Sequence, residues 1–129
     1  MIARKLDHLV LTVADIDRTV AFYTTVLGME KQVFANGRIA LKFGDQKINL
    51  HKHKEEYEPN SYHPTPGSAD LCFITDMDIE TAMSHVRILG VDVTEGPVER
   101  TGATGLLKSF YFRDPDLNLI EVANEISAT

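Results

Sequence analysis

Two histidines and two carboxylates, His8, His51, Asp70 and Glu121, stand on four separate segments in which apolar and polar residues alternate. Such alternation is the period of a strand, and it sorts side chains onto two faces. Leu9, Leu11, Val13, Ile48, Leu50, Leu71, Phe73, Ile120 and Val122 share the apolar face. His8, Val10, Thr12, Asn49, His51, Asp70, Cys72, Leu119 and Glu121 share the other. A curled sheet could bring His8, His51, Asp70 and Glu121 to one point, as a mononuclear site for a divalent ion. Imidazole suits Zn, Ni and Fe, and carboxylate oxygens extend the range to Mn and Co. With positions open to water or substrate, such an ion acts as a Lewis acid. No local motif accompanies the set, neither a two-His helical pair nor Cys-x-x-Cys. Arg38 and Lys42, alternate residues of one further strand, would face the same side and suit an anionic substrate.

Plainer roles stand beside these. His8 could be a core histidine bonded to a neighbour, and Asp70 could pair with an arginine. His51 could be the solvated end of a strand, in the polar run His51-Lys52-His53-Lys54. Cys72 reads as a small buried apolar residue, with no cation in view to lower its pKa.

The elements that must position these side chains come in a repeated order. Residues 6–13 form a strand; Asp15 then caps a helix over 16–27, which Gly28 ends. Strands follow over 31–34 and 38–43, joined by the hairpin signal Asn36-Gly37, and a fourth over 47–51. Residues 53–67 hold three prolines and no period, and read as a linker or long surface loop. The programme then restarts with a strand over 69–74, a helix over 76–89 and three more strands.

A shift of 62 positions carries His8 onto Asp70 and Gly28 onto Gly90; a shift of 70 carries residues 45–51 onto 115–121, and so His51 onto Glu121. The order of elements carries more weight than the matched letters. It predicts a single domain over residues 1–129, with modules at about 4–52 and 68–125 and a linker at 53–67. The expected fold is α+β: two paired βαβββ modules forming a curled eight-stranded mixed sheet. Neither module would bury much core alone.

Composition excludes more than it assigns. A net charge of −6 argues against a nucleic-acid binder, which needs a clustered basic face. No apolar run approaches the roughly 20 residues of a membrane span, and none near Met1 resembles a secretory leader. One cysteine excludes an internal disulfide or a Cys-rich zinc site and points to a reducing, cytoplasmic location.

The segments Asp7-His8-Leu9-Val10-Leu11-Thr12-Val13, Phe22-Tyr23-Thr24-Thr25-Val26-Leu27-Gly28-Met29 and Asp114-Pro115-Asp116-Leu117-Asn118-Leu119-Ile120-Glu121-Val122 resemble the opening and closing motifs of the vicinal oxygen chelate superfamily. That superfamily includes glyoxalase I, fosfomycin-resistance enzymes, bleomycin-binding proteins and extradiol dioxygenases. Residues 46–51, 66–73 and 96–103 look most like its glyoxalase domain-containing protein 5 branch. The resemblance implies the glyoxalase/bleomycin resistance/dihydroxybiphenyl dioxygenase fold, a homodimer, and a divalent metal ion (Zn, Ni, Mn, Co or Fe).

Carried over by position, the family's ligands fall on His8, His51, Asp70 and Glu121. His8 and Glu121 match in type. His51 stands where glyoxalase I usually has Glu, and Asp70 where His is usual. The implied function is a glyoxalase I-like, metal-dependent lyase or isomerase, related to lactoylglutathione lyase. It would act on a small oxygenated substrate, a thiol adduct among the possibilities, with Glu121 also serving as the catalytic proton carrier. Ser109 and Tyr111 would hydrogen-bond the substrate. The alternatives are a fosfomycin-type thiol transferase, needing cavity cations such as Arg38, Lys108 or Arg113, and a bleomycin-type binding protein that is not an enzyme.

Overall fold

The computed structural model describes residues 1–126. The chain divides into two compact units, residues 1–68 and residues from Ala69 on.

In the first unit β1 (His8–Val13) leads to α1 (Ile16–Leu27), then β2 (Glu30–Phe34), β3 (Arg38–Phe43) and β4 (Gln46–Lys52). The sheet order is β1-β4-β3-β2, with β1 parallel to β4 and the other pairs antiparallel. Alternation explains the layers. Leu11, Val13, Leu41, Ile48 and Leu50 are buried on one face, and Tyr23 and Val26 of α1 are buried with them. Each such side chain contributes about 1.5–3 kcal/mol through burial. The helix starts where Asp15 accepts the Arg18 amide at 2.9 Å, and ends at Gly28, whose φ of 64° is the left-handed value that favours glycine.

The second unit repeats the order with β5 (Asp70–Ile74), α2 (Ile79–Ile88), β6 (Glu95–Thr101), β7 (Leu106–Arg113) and β8 (Leu119–Glu125). Its sheet runs β5-β8-β7-β6, again with one parallel pair, β5 and β8. Phe110, Phe112, Ile120 and Val122 are buried, as are Ile79, Ala82, Met83 and Val86 of α2. The helix begins three residues later than the sequence predicts, because Asp78 rather than a residue near 76 is the cap and accepts the Thr81 amide at 3.3 Å. The expected α+β class and doubled βαβββ order are both present. The eight strands form two four-stranded mixed sheets, one in each unit.

Two local devices serve the polar face of the second unit. Asn118 is buried; its amide donates to Asp114 Oδ2 at 2.8 Å and its carbonyl oxygen accepts the Ala69 amide at 2.8 Å, pinning the start of β8 to β5. A bulge between Glu95 and Val98 then bends β6. Gly96 sits in that bulge at φ 121°, and a Cβ there would come within 2.7 Å of the Phe110 backbone. Among the described residues, no helix is long and apolar enough to cross a membrane.

Candidate functional site

The parallel strand pairs decide which polar residues are neighbours. In the first unit His8 lies opposite Lys47, and His51 lies opposite Thr12. His8 and His51 are therefore four residue steps apart along the ladder, roughly 13 Å at 3.3 Å per residue. In the second unit Asp70 lies opposite Leu119, and Glu121 lies opposite Cys72, only two steps on. The residue two steps beyond Lys47 is Asn49. Register thus makes Asn49, not His51, the counterpart of Glu121. The sequence contains a signal for this: a shift of 72 aligns Ile48-Asn49-Leu50 with Ile120-Glu121-Val122, whereas a shift of 70 sets Ile48 against Asn118 and Asn49 against Leu119.

In the first unit, His8 Nδ1 is 2.8 Å from Asp7 Oδ1. A carboxylate only accepts, so Nδ1 carries a proton and Nε2 is the nitrogen turned away from Asp7. The same bond holds the Asp7 carboxyl below its ordinary pKa. Asn49 is 7% exposed, and its Oδ1 is buried without a hydrogen-bond partner. His51 is 3% exposed, with Arg38 Nη2 at 3.2 Å from its Nε2. Arginine only donates, so Nε2 accepts and the proton sits on Nδ1, which is enclosed without a partner. While Arg38 holds it, His51 has no lone pair for a metal. Burial, and then the adjacent Arg38 charge, keep its pKa below the usual histidine value; Glu56 opposes them.

In the second unit, Asp70, Thr94, Glu95, Arg100, Tyr111, Arg113, Leu119 and Glu121 line an open pocket of about 490 Å³. Arg100 Nε donates to Tyr111 Oη at 2.9 Å, and Nη2 donates to Glu95 Oε1 at 3.1 Å. The bulge makes this possible by setting Glu95 opposite Tyr111. Glu121 lies between Tyr111 and Cys72, each directly opposite it on a neighbouring strand. Burial first, then the Glu121 charge, push the Cys72 thiol up to about 11. Burial likewise raises the Tyr111 pKa, with Glu121 adding to it and Arg100 opposing. Cys72 is therefore a neutral donor at physiological pH, not a thiolate.

Of the residues singled out by sequence, Asp70, Glu121 and Tyr111 come together in this pocket. Arg113 lines it too, with Nη1 donating to the Leu117 carbonyl at 3.3 Å. Ser109 lies deeper: it is fully buried opposite Ala123, its Oγ without a partner. Lys108 is 3.9 Å from Glu80, and Lys42 donates to the Gly44 carbonyl. Among the described residues, no three His, Cys, Asp or Glu side chains form a cluster able to hold a metal ion. The sequence reading missed Asn49, Arg100 and Glu95.

Comparison with known proteins places this geometry. The Glyoxalase/Bleomycin resistance protein/Dioxygenase superfamily matches residues 5–122. Virulence protein STM3117 of Salmonella typhimurium is 54% identical over 98% of this chain and 88% of its own. Its crystal structure superposes with a TM-score of 0.96, covering 98% of this chain and all of that one, 100%. Glyoxalase domain-containing protein RDO1 of Mycosarcoma maydis is 53% identical over 94% of this chain and 68% of its own. Two structures share the fold at lower identity. Lactoylglutathione lyase from Agrobacterium tumefaciens has 24% identity and a TM-score of 0.73, with 95% and 94% covered. FosX from Listeria monocytogenes, complexed with Mn(II) and sulfate, has 18% and 0.69, with 97% and 93% covered.

Proposed function

The chain belongs to the glyoxalase/bleomycin resistance protein/dioxygenase superfamily, and on that premise we propose that it is a metal-dependent enzyme of glyoxalase type acting on a small oxygenated substrate. The observation that carries this reading is the Asp70 and Glu121 carboxylate pair lining one pocket, with Tyr111 directly opposite Glu121 on the neighbouring strand.

The donor chemistry fits a divalent ion. In the second unit Asp70 and Glu121 offer hard oxygens. In the first unit, taken by itself, Asp7 holds the His8 ring in the manner typical of metal-bound imidazoles, and the orphaned Asn49 Oδ1 stands in the repeat-equivalent place of Glu121. Zn, Ni, Mn, Co and Fe all suit imidazole and oxygen donors. Bound there, the ion would supply Lewis acidity toward substrate oxygen.

The protein's own groups do the rest. Glu121 stands between Tyr111 and Cys72 of the neighbouring strands, and its carboxylate is the group that takes up and returns a substrate proton. Tyr111 is in turn held by Arg100, and Arg100 by Glu95. His51 leaves the ligand set in this reading, because its lone pair is already used by Arg38. Ser109 shares the face of β7 that carries Tyr111, with its hydroxyl unpartnered. The reading includes a cytoplasmic homodimer, for which the exposed edge strand β2 offers unpaired backbone.

Asn49 favours one second reading: a neutral amide in a place that is a carboxylate in the other unit lowers the charge offered to a cation, as a binding protein without metal would allow. Metal analysis of purified protein separates the two. Near-stoichiometric divalent metal, lost in His8→Ala and Glu121→Ala, supports the enzyme. Trace metal, unchanged in both variants, removes it and leaves the binder.

A further inference from the structure

On the polar face of the first unit Arg38 is a half-buried cation that makes no ion pair among the described residues. Its guanidinium lies 4.2 Å from the Tyr57 ring centre and 5.5 Å from that of Phe34, while Lys47 Nζ lies 3.7 Å over Phe34. The His51 ring meets the edge of Tyr57 at 5.3 Å. Taking a guanidinium partly out of water without a counter-charge is costly, and its aromatic contacts return only part of that cost.

Stacking also uses the flat face and leaves the edge free. Of five N–H donors, one goes to His51. The face around it is cationic: β1, β3 and β4 place Lys42 and Lys47 on Arg38's side and no acid. Glu30 of β2 stands opposite Lys42, and Glu56 is taken up by the Lys54 amide and His53. Holding Tyr57 in place would need a cation over a ring, but not a buried imidazole to fix that cation's rotation.

We propose that the free edge of Arg38 is the receptor for a substrate carboxylate, so that the substrate is an organic acid, with His51 and Tyr57 as positioning residues. A planar fork fixed against a ring matches a planar carboxylate through two parallel hydrogen bonds. His51 serves by remaining an acceptor: it sets the guanidinium plane without neutralising it, as a carboxylate would. This class of substrate deepens the enzyme reading above and rests on it, but the receptor itself can be tested apart from it.

The test is an NMR titration of metal-free protein with sodium acetate at constant ionic strength, following Arg38 Nε–H and the Tyr57 ring. Saturable shifts at both are expected in the wild type. Arg38→Lys keeps the charge but loses the fork, and should weaken acetate about tenfold, read at Tyr57. His51→Leu should weaken it comparably, while His51→Gln, which retains an acceptor, should restore it. Shifts that do not saturate, equal affinity in Arg38→Lys, or inorganic phosphate displacing acetate from Arg38 would each overturn the proposal. Because no metal is present, its failure would leave the metal reading standing, and loss of the metal reading would not alter this outcome.

Discussion

Cys72 shows how a neighbour sets what a side chain can do. It is exposed, yet its thiol is pushed up to about 11 by burial of the sulfur and by the Glu121 charge. Alkylation by iodoacetamide should therefore be slow at neutral pH compared with an unperturbed thiol, whose pKa is about 8.5. Glu121→Gln removes the negative charge, so the midpoint of the rate against pH should fall and the rate at pH 7.5 should rise. An unchanged midpoint would mean that Glu121 does not face the sulfur. His51 makes a second case. Its folded pKa lies below the unfolded value of about 6.5, so its neutral form is the one the fold accepts. The contribution is complete above that value and is lost as pH falls through the folded pKa. Urea unfolding between pH 8 and 5 should show stability declining toward acid, and His51→Gln should flatten that slope. At this scale the sequence was informative about residue type and face: Asp70, Glu121 and Tyr111 share a pocket, as alternation implied. It was silent about partners, since nothing near His51 in sequence announces Arg38 thirteen residues away.

The elements explain where legibility ended. Helix α1 and strand β3 fall on the expected residues because caps and turns, Asp15, Gly28 and Asn36-Gly37, are local signals. Strand register is not local: it is set by how each apolar row meets the helix above it. A two-residue slip preserves the face but changes the neighbour, which is why His51 and Asn49 exchange places between the two readings. The bulge in β6 is likewise invisible to alternation, yet it sets Glu95 and Arg100 around Tyr111. Gly96→Ala tests it. The substitution forces a φ of 121° on a residue with a Cβ and drives that Cβ against Phe110, costing at least about 1–3 kcal/mol. Chemical denaturation should register that loss. Acetate binding at Arg38, in the other unit, should be untouched.

At the scale of the whole molecule, 129 residues carry one βαβββ plan twice, and each copy puts two polar residues at the same two steps of its parallel pair. The copies have diverged in charge. The first unit sets a histidine and an amide, His8 and Asn49, where the second sets two carboxylates, Asp70 and Glu121. The two carboxylates make the second unit the stronger offer to a cation. The most direct measurement is the Mn(II) affinity of metal-free protein, by calorimetry, for the wild type and the Asn49→Glu, His51→Gln and Glu121→Ala variants. Glu121→Ala should abolish binding, Asn49→Glu should tighten it about tenfold or more through the added charge, and His51→Gln should leave it unchanged. Loss of binding in His51→Gln with no gain in Asn49→Glu would contradict the register-based ligand set and return His51 to the ion.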